Sequence, residues 1–177
     1  MNDYEWSAEF LKIYENAVKR YREGAKAPET VLITEEIKWL ALIGCRPREF
    51  FDFVEDYARG GEPDPGTALL LAAQRRSYFL EIQNGRWEKS LPSSTLPPKS
   101  EEVRGIRWLP RLIEKAKRKL RGQMDDDLMY GCGGDRGFCR QFHIHLSDFL
   151  KRVEEANGDD AQVIDFMVKR GERVKSS

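Results

Sequence analysis

Four potential soft-metal ligands lie close together in the chain: Cys132, Cys139, His143 and His145. The gaps between them hold six, three and one residues, which matches no standard zinc pattern, and three of the four would have to come from one short helix and its exit. The sequence therefore implies no metal and no cofactor. With Cys45 there are three cysteines and no C-x-x-C pair, a usage that fits a reducing compartment and small buried apolar side chains.

Around these residues runs a glycine-rich turn, GCGGDRGF from Gly131 to Phe138, preceded by the acidic run Asp125, Asp126 and Asp127. Glycines at this density allow positive φ and let backbone N–H groups converge at the start of a helix, which is one way to cradle an anion. No Gly-Lys-Ser/Thr follows, so the turn is not a P-loop. Two readings of its charged pair stand side by side. In the first, Asp135 caps the helix that follows and Arg136 pairs with the acidic run. In the second, Arg136 joins Arg107 or Arg111 to clamp a carboxylate or phosphate beside the amides of Gly133 and Gly134, with Trp108 and Tyr130 as walls. The chain has no Ser-His-Asp order and no paired glutamates on one helical face, so no catalytic residue is assigned.

The element that must position this turn precedes it. In GIRWLPRLIEKAKRKLRG, Ile106, Leu109, Ile113, Ala116 and Leu120 recur at helical spacing, Pro110 suits a first turn, and Gly122 ends the run. Arg111, Lys115, Lys117, Arg118, Lys119 and Arg121 are expected on the outward, solvated circumference, crowded toward the C-terminus where the helix dipole favours cations. This helix is the best argument for nucleic-acid binding. Against it stand a net charge of zero, from 30 basic and 30 acidic residues, and the absence of aromatics among the cations.

At 177 residues the chain suits one domain or two small lobes with a real core. No stretch approaches a membrane span and the N-terminus lacks a secretory pattern, so a cytoplasmic protein without membrane association is expected. Helices are expected from Ser7 as cap to Gly24, from Thr34 as cap to Gly44, from Pro47 to Gly60, and from Asp64 to Asn84. Asn84-Gly85 reads as a helix C-cap, with a hairpin turn as the alternative. Residues 86–100, with Pro92, Pro97, Pro98 and a Ser-Ser-Thr cluster, read as a linker between an N-terminal unit, 1–85, and a C-terminal unit, 101–177. Beyond the glycine turn come a short helix with Phe138 and Phe142, another over 147–156, and a last one from Asp159 to Gly171, followed by a frayed basic tail. Trp39, Ile43, Phe50, Val54 and Glu55 align at constant offset with Phe138, Phe142, Phe149, Val153 and Glu154. Asp64, Ala68 and Arg75 then align with Asp159, Val163 and Arg170 after a four-residue deletion. The expected fold is all-α: two related three-helix units in a degenerate internal repeat, with an extra N-terminal helix and the basic helix between them.

The runs GIRWLPRLIEKAKRKLRG, DLMYGCGGDRGF, HLSDFL, IGCRPREFFDFVED and RRSYF together resemble the bacterial domain-of-unknown-function family 5069. The likeness covers nearly the whole chain and is strongest from Gly105 to Phe149. The chain departs from the family pattern at Ser77, where an acid is expected, and at Cys139, where an apolar residue is. Because the family has no assigned function, the resemblance carries no catalytic residues over. The functional expectation is a non-enzymatic binding or scaffold module with a protein partner. The alternative is a small-anion-binding protein or enzyme using the glycine turn, and a nucleic-acid binder stands third.

Overall fold

Sharp local punctuation sets the helices. Pro47 and Pro65 occupy first helical positions, Asp64 accepts a hydrogen bond from the Thr67 amide, and Gly61 and Gly122 close their helices in the left-handed region. A computed structural model of the chain describes residues 4–176, in which nine helices and one two-stranded hairpin are found. The fold is all-α. The chain divides into two compact units at Trp87/Glu88.

The first unit holds α1 (Trp6–Arg22), the one-turn α2 (Pro28–Val31), α3 (Thr34–Leu42), α4 (Pro47–Gly60) and α5 (Pro65–Ser77), which continues as a π-helical turn over Tyr78–Ile82. Helix α1 packs on α2, α4 and α5, and buries Phe10, Ile13, Tyr14, Ala17, Val18 and Tyr21. Phe50 meets Phe10 and Tyr14 edge-on with centroids 5.4 and 5.5 Å apart, and the Tyr14 hydroxyl donates to the Phe53 carbonyl at 2.9 Å. Two helix starts differ from the sequence reading. Ser7 is inside α1, whose N-cap is Glu5, and Thr34 is the first residue of α3 rather than its cap. Glu36, the third residue of α3, takes the capping role by reaching back to the Ile33 amide at 3.0 Å. The same carboxylate pairs with Arg20 of α1 through two hydrogen bonds of 2.6 and 3.1 Å. Asn84 and Gly85 both take positive φ and end the helical run, so the C-cap reading holds and the hairpin alternative does not.

The second unit opens with 88–101, contains a hairpin of β1 (Glu102–Val103) and β2 (Ile106–Arg107), and continues through α6 (Leu109–Arg121), α7 (Gly133–Gln141), α8 (Leu146–Glu155) and α9 (Asp160–Lys175). Arg104 and Gly105 turn the hairpin with φ of 51° and 74°, the positive pair that a two-residue connection matching strand twist requires. Ile106 is therefore a strand residue, not part of the helix. Helix α6 packs against β1, α8 and α9, while α8 packs on α7 and α9.

The solvated outer face expected for α6 does not exist in that form. Lys115, Arg118 and Lys119 are only 2%, 3% and 1% exposed. The start of α7 covers Lys115, and the Pro/Ser segment read as a linker winds over Arg118. Arg118 donates to the Leu91 and Pro92 carbonyls and to Thr95, and Arg111 donates to the Pro97 carbonyl at 2.7 Å. Leu91 N donates to the Gln123 carbonyl and Ser93 N to Asp125, which fastens the same segment beyond the helix end. Helix α9 also runs past its expected stop. Gly171 lies inside it, where a Cβ would come within 3.1 Å of the Phe142 ring, and the helix extends to Lys175. Ser177, the last residue of the expected tail, lies outside the described residues.

Candidate functional site

The glycine turn and α6 meet at one carboxylate. Cys132, not Asp135, is the N-cap of α7, and Asp135 is the third helical residue with its side chain turned inward. It has no exposed surface. Three donors hold it: Trp108 Nε1 to Oδ1 at 3.0 Å, Gly131 N to Oδ2 at 2.9 Å, and the Lys115 ammonium to the same oxygen. Lys115 also lies 3.3 Å from Cys132 Sγ. A carboxylate removed from water is tolerated only when paired and bonded in this way.

Trp108 reaches Asp135 from a strained start. It sits at φ 75°, left-handed, as the residue between β2 and α6. Its indole lies on the first turn of α7 so closely that a Cβ on Gly134 would be 2.7 Å from Cζ2. Gly134 is thus needed for close approach. The anion-cradling geometry proposed for this glycine plays no part in the contact.

The remaining candidates are distributed rather than convergent. Arg136 Nη1 donates to the Gly131 carbonyl at 2.7 Å, Arg111 is directed to Pro97, and Arg107 is exposed with Nε 3.4 Å from the Lys99 carbonyl. Gly133 and Gly134 are exposed at the helix start. Tyr130 is no wall of an open pocket: it is buried and its hydroxyl donates to the Leu146 carbonyl at 2.8 Å. Burial, helped by Cys139 and Asp135 nearby, pushes its phenol well above the ordinary value. Burial and then Asp135 push the Cys139 thiol from 9.0 up to about 12. His145 caps α8 through Nδ1, which accepts from Ser147 N, and His143 is exposed at φ 50°. Among the described residues no group of three or more His, Cys, Asp or Glu side chains is placed to hold a metal ion.

Lys115 is the member of this cluster that the sequence reading missed. A signal for it existed. Trp108, Leu112, Lys115 and Lys119 are spaced four, three and four apart, which is a second inward stripe beside Leu109, Ile113, Ala116 and Leu120.

The first unit holds an ion pair placed in a similar way. Glu36 is the third residue of α3 as Asp135 is of α7, and its cation comes from α1 as Lys115 comes from α6. Arg75 of α5 donates Nε to the Gly44 carbonyl at 2.9 Å, just after α3, and Arg170 of α9 donates to the Phe142 and His143 carbonyls just after α7. No helix of the described residues is long and apolar enough to cross a membrane. No family model matches the chain, and neither a curated protein nor a solved structure matches it.

Proposed function

We propose that this chain is a non-enzymatic binding module of the cytosol, built from two related helical units and allied to family 5069. The observation that supports this reading is the closure of Asp135. Asp135, placed among a lysine, a cysteine and a helix N-terminus, faces inward and is saturated by three donors, so it is a strut between α6 and α7 rather than an acid or base offered to a substrate. The matched struts Arg20–Glu36 and Lys115–Asp135, with the matched bonds of Arg75 and Arg170, favour a shared unit design. Large apolar side chains meanwhile stand in solvent on the first unit, Leu42, Leu70 and Ile82 among them.

A small-anion site remains the second reading, because α7 begins with exposed Gly133 and Gly134 next to Arg136, and Cys132 supplies no side-chain cap to their amides. The discriminating experiment is titration of phosphate and acetate into wild type and Arg136→Ala, followed by NMR and by calorimetry. The module reading expects no saturable shift at 131–136. Saturable binding by wild type that is lost in a folded Arg136→Ala replaces it with the anion site. Photo-crosslinking residues at Leu42 and Ile82, used in extracts of the source cells, are expected to give discrete protein adducts.

A further inference from the structure

One concave feature of the second unit lies apart from the Asp135 cluster. A groove of about 360 Å³ runs between the hairpin, α6 and α9. Its floor is apolar, formed by Val103, Ile113 and Ile164 between Pro97 and Pro110. Its rim carries four carboxylates, Glu101, Glu102, Glu114 and Asp160, against a single ammonium, Lys117. Lys117 is already held by Asp160 at 2.6 Å, and Glu114 is held from beneath by Arg118 at 3.0 Å. Glu101 and Glu102 are exposed on the hairpin side.

The walls are braced. Arg104 at the hairpin tip forms an ion pair with Asp165 of α9, which ties the two sides of the cleft, and Arg111 anchors the chain at Pro97. A groove with an aliphatic floor and a negative rim complements a segment that alternates aliphatic and cationic side chains. The aliphatic ones lose water against the floor, and the cations meet the rim without needing burial.

We propose that this groove docks a basic, aliphatic peptide segment of a partner protein, with one or two Leu, Ile or Val side chains on Val103, Ile113 and Ile164 and flanking Lys or Arg toward Glu101 and Glu102. This rests on the binding-module reading and names its partner class. Glu101 and Glu102 stand on the hairpin side of the floor, while Glu114 and Asp160, each held by a cation, line the rest of the groove.

The test uses the full chain, isotopically labelled, with three acetylated peptides as probes: alternating lysine and leucine, alternating lysine and serine, and alternating glutamate and leucine. The lysine–leucine peptide is expected to shift resonances of Val103, Ile113 and Ile164 saturably. The other two are expected to bind at least about tenfold more weakly. Glu101→Lys with Glu102→Lys, both on the exposed hairpin, should weaken the lysine–leucine peptide by about tenfold without changing the thermal midpoint. Shifts that fall elsewhere, or an unchanged affinity in the double variant, overturn the proposal. Spermine producing the same shifts at equal affinity also overturns it, since the groove would then take small polycations. A peptide that misses the groove while adducts at Leu42 and Ile82 persist removes the groove alone; loss of both removes the module reading with it.

Discussion

Asp135 and Lys115 illustrate how a single buried pair can stabilise and constrain at once. Removing one partner leaves an uncompensated group in a site without water, so Asp135→Asn is expected to lower stability by about 3–5 kcal/mol in urea unfolding. Replacing both, as Lys115→Met with Asp135→Leu, is expected to recover only part of that loss, because the buried ammonium is gone but the Trp108 indole N–H and the Gly131 amide lose their acceptor. A double variant as unstable as the single one would show that the pair holds the α6–α7 geometry for reasons beyond its own charges. Cys139 makes a different prediction. Its thiol stays protonated in the folded chain up to about pH 12 but ionises near 9.0 once unfolded. Between those values the unfolded state binds fewer protons, so stability is present in full below about pH 9 and falls as pH rises, by at most about 1.4 kcal/mol per pH unit for this one group. Thermal midpoints read from pH 8 to 11 should show the decline. In Cys139→Ala it should begin nearer the ordinary tyrosine value of 10.0, where Tyr14 and Tyr130, both raised by burial, take over.

At the scale of elements, α6 is the post about which the second unit is assembled. Its guanidinium and ammonium groups hold three separate partners: Arg118 the segment over Leu91 to Thr95, Lys115 the start of α7, and Lys117 the start of α9. Arg118→Met is expected to cost roughly 2–3 kcal/mol, the scale of hydrogen bonds to a charged group. It should also raise hydrogen exchange at the Leu91 and Ser93 amides while α6 stays protected. Uniform loss of protection across the unit would mean that Arg118 supports the core rather than the strap. The ends of α3 and α7 make different demands on the residue that turns the chain. Gly44 has φ 69° and a Cβ there would lie 2.6 Å from the Phe79 ring, so glycine is required by space and by backbone. His143, just after α7, takes φ 50° while exposed, and meets only the backbone penalty of a left-handed residue.

For the whole molecule, each unit possesses its own core: Phe10, Tyr14, Leu40, Phe50 and Leu71 in one, Leu109, Leu112, Tyr130, Phe149 and Val163 in the other. Fragments 1–87 and 88–177 are accordingly expected to fold separately, each with a cooperative thermal transition and dispersed amide spectra. A fragment cut at 101 instead of 88 should lose stability, since it lacks the strap that covers Arg118. Duplex DNA is expected to show no specific retention near physiological salt. The formal charge is zero, and the cations that made α6 look like a groove reader are in large part interior. Tight, sequence-selective binding to labelled duplex would contradict that expectation.

Local chemistry was legible in the residues themselves. Pro47, Gly61, Asp64 and Gly122 mark helix ends because proline, left-handed glycine and an aspartate cap act on their own chain neighbours, and the 3.6-residue apolar spacing sets the inward faces. The hairpin at Arg104-Gly105 was just as local but was masked by the helical spacing of Ile106 with Leu109 and Ile113. Three-dimensional packing alone decided which polar groups went inside. Whether Lys115 is a solvated cation or a buried strut depends on Asp135, twenty positions on, and whether Arg118 faces water depends on a proline-rich segment more than twenty positions back. Burial of a charge is set by what covers it and what pairs with it, and both arrive from distant parts of the chain. The same holds for the acidic groove, whose hairpin, α6 and α9 walls have no common signature along the sequence and become one surface only when the second unit folds.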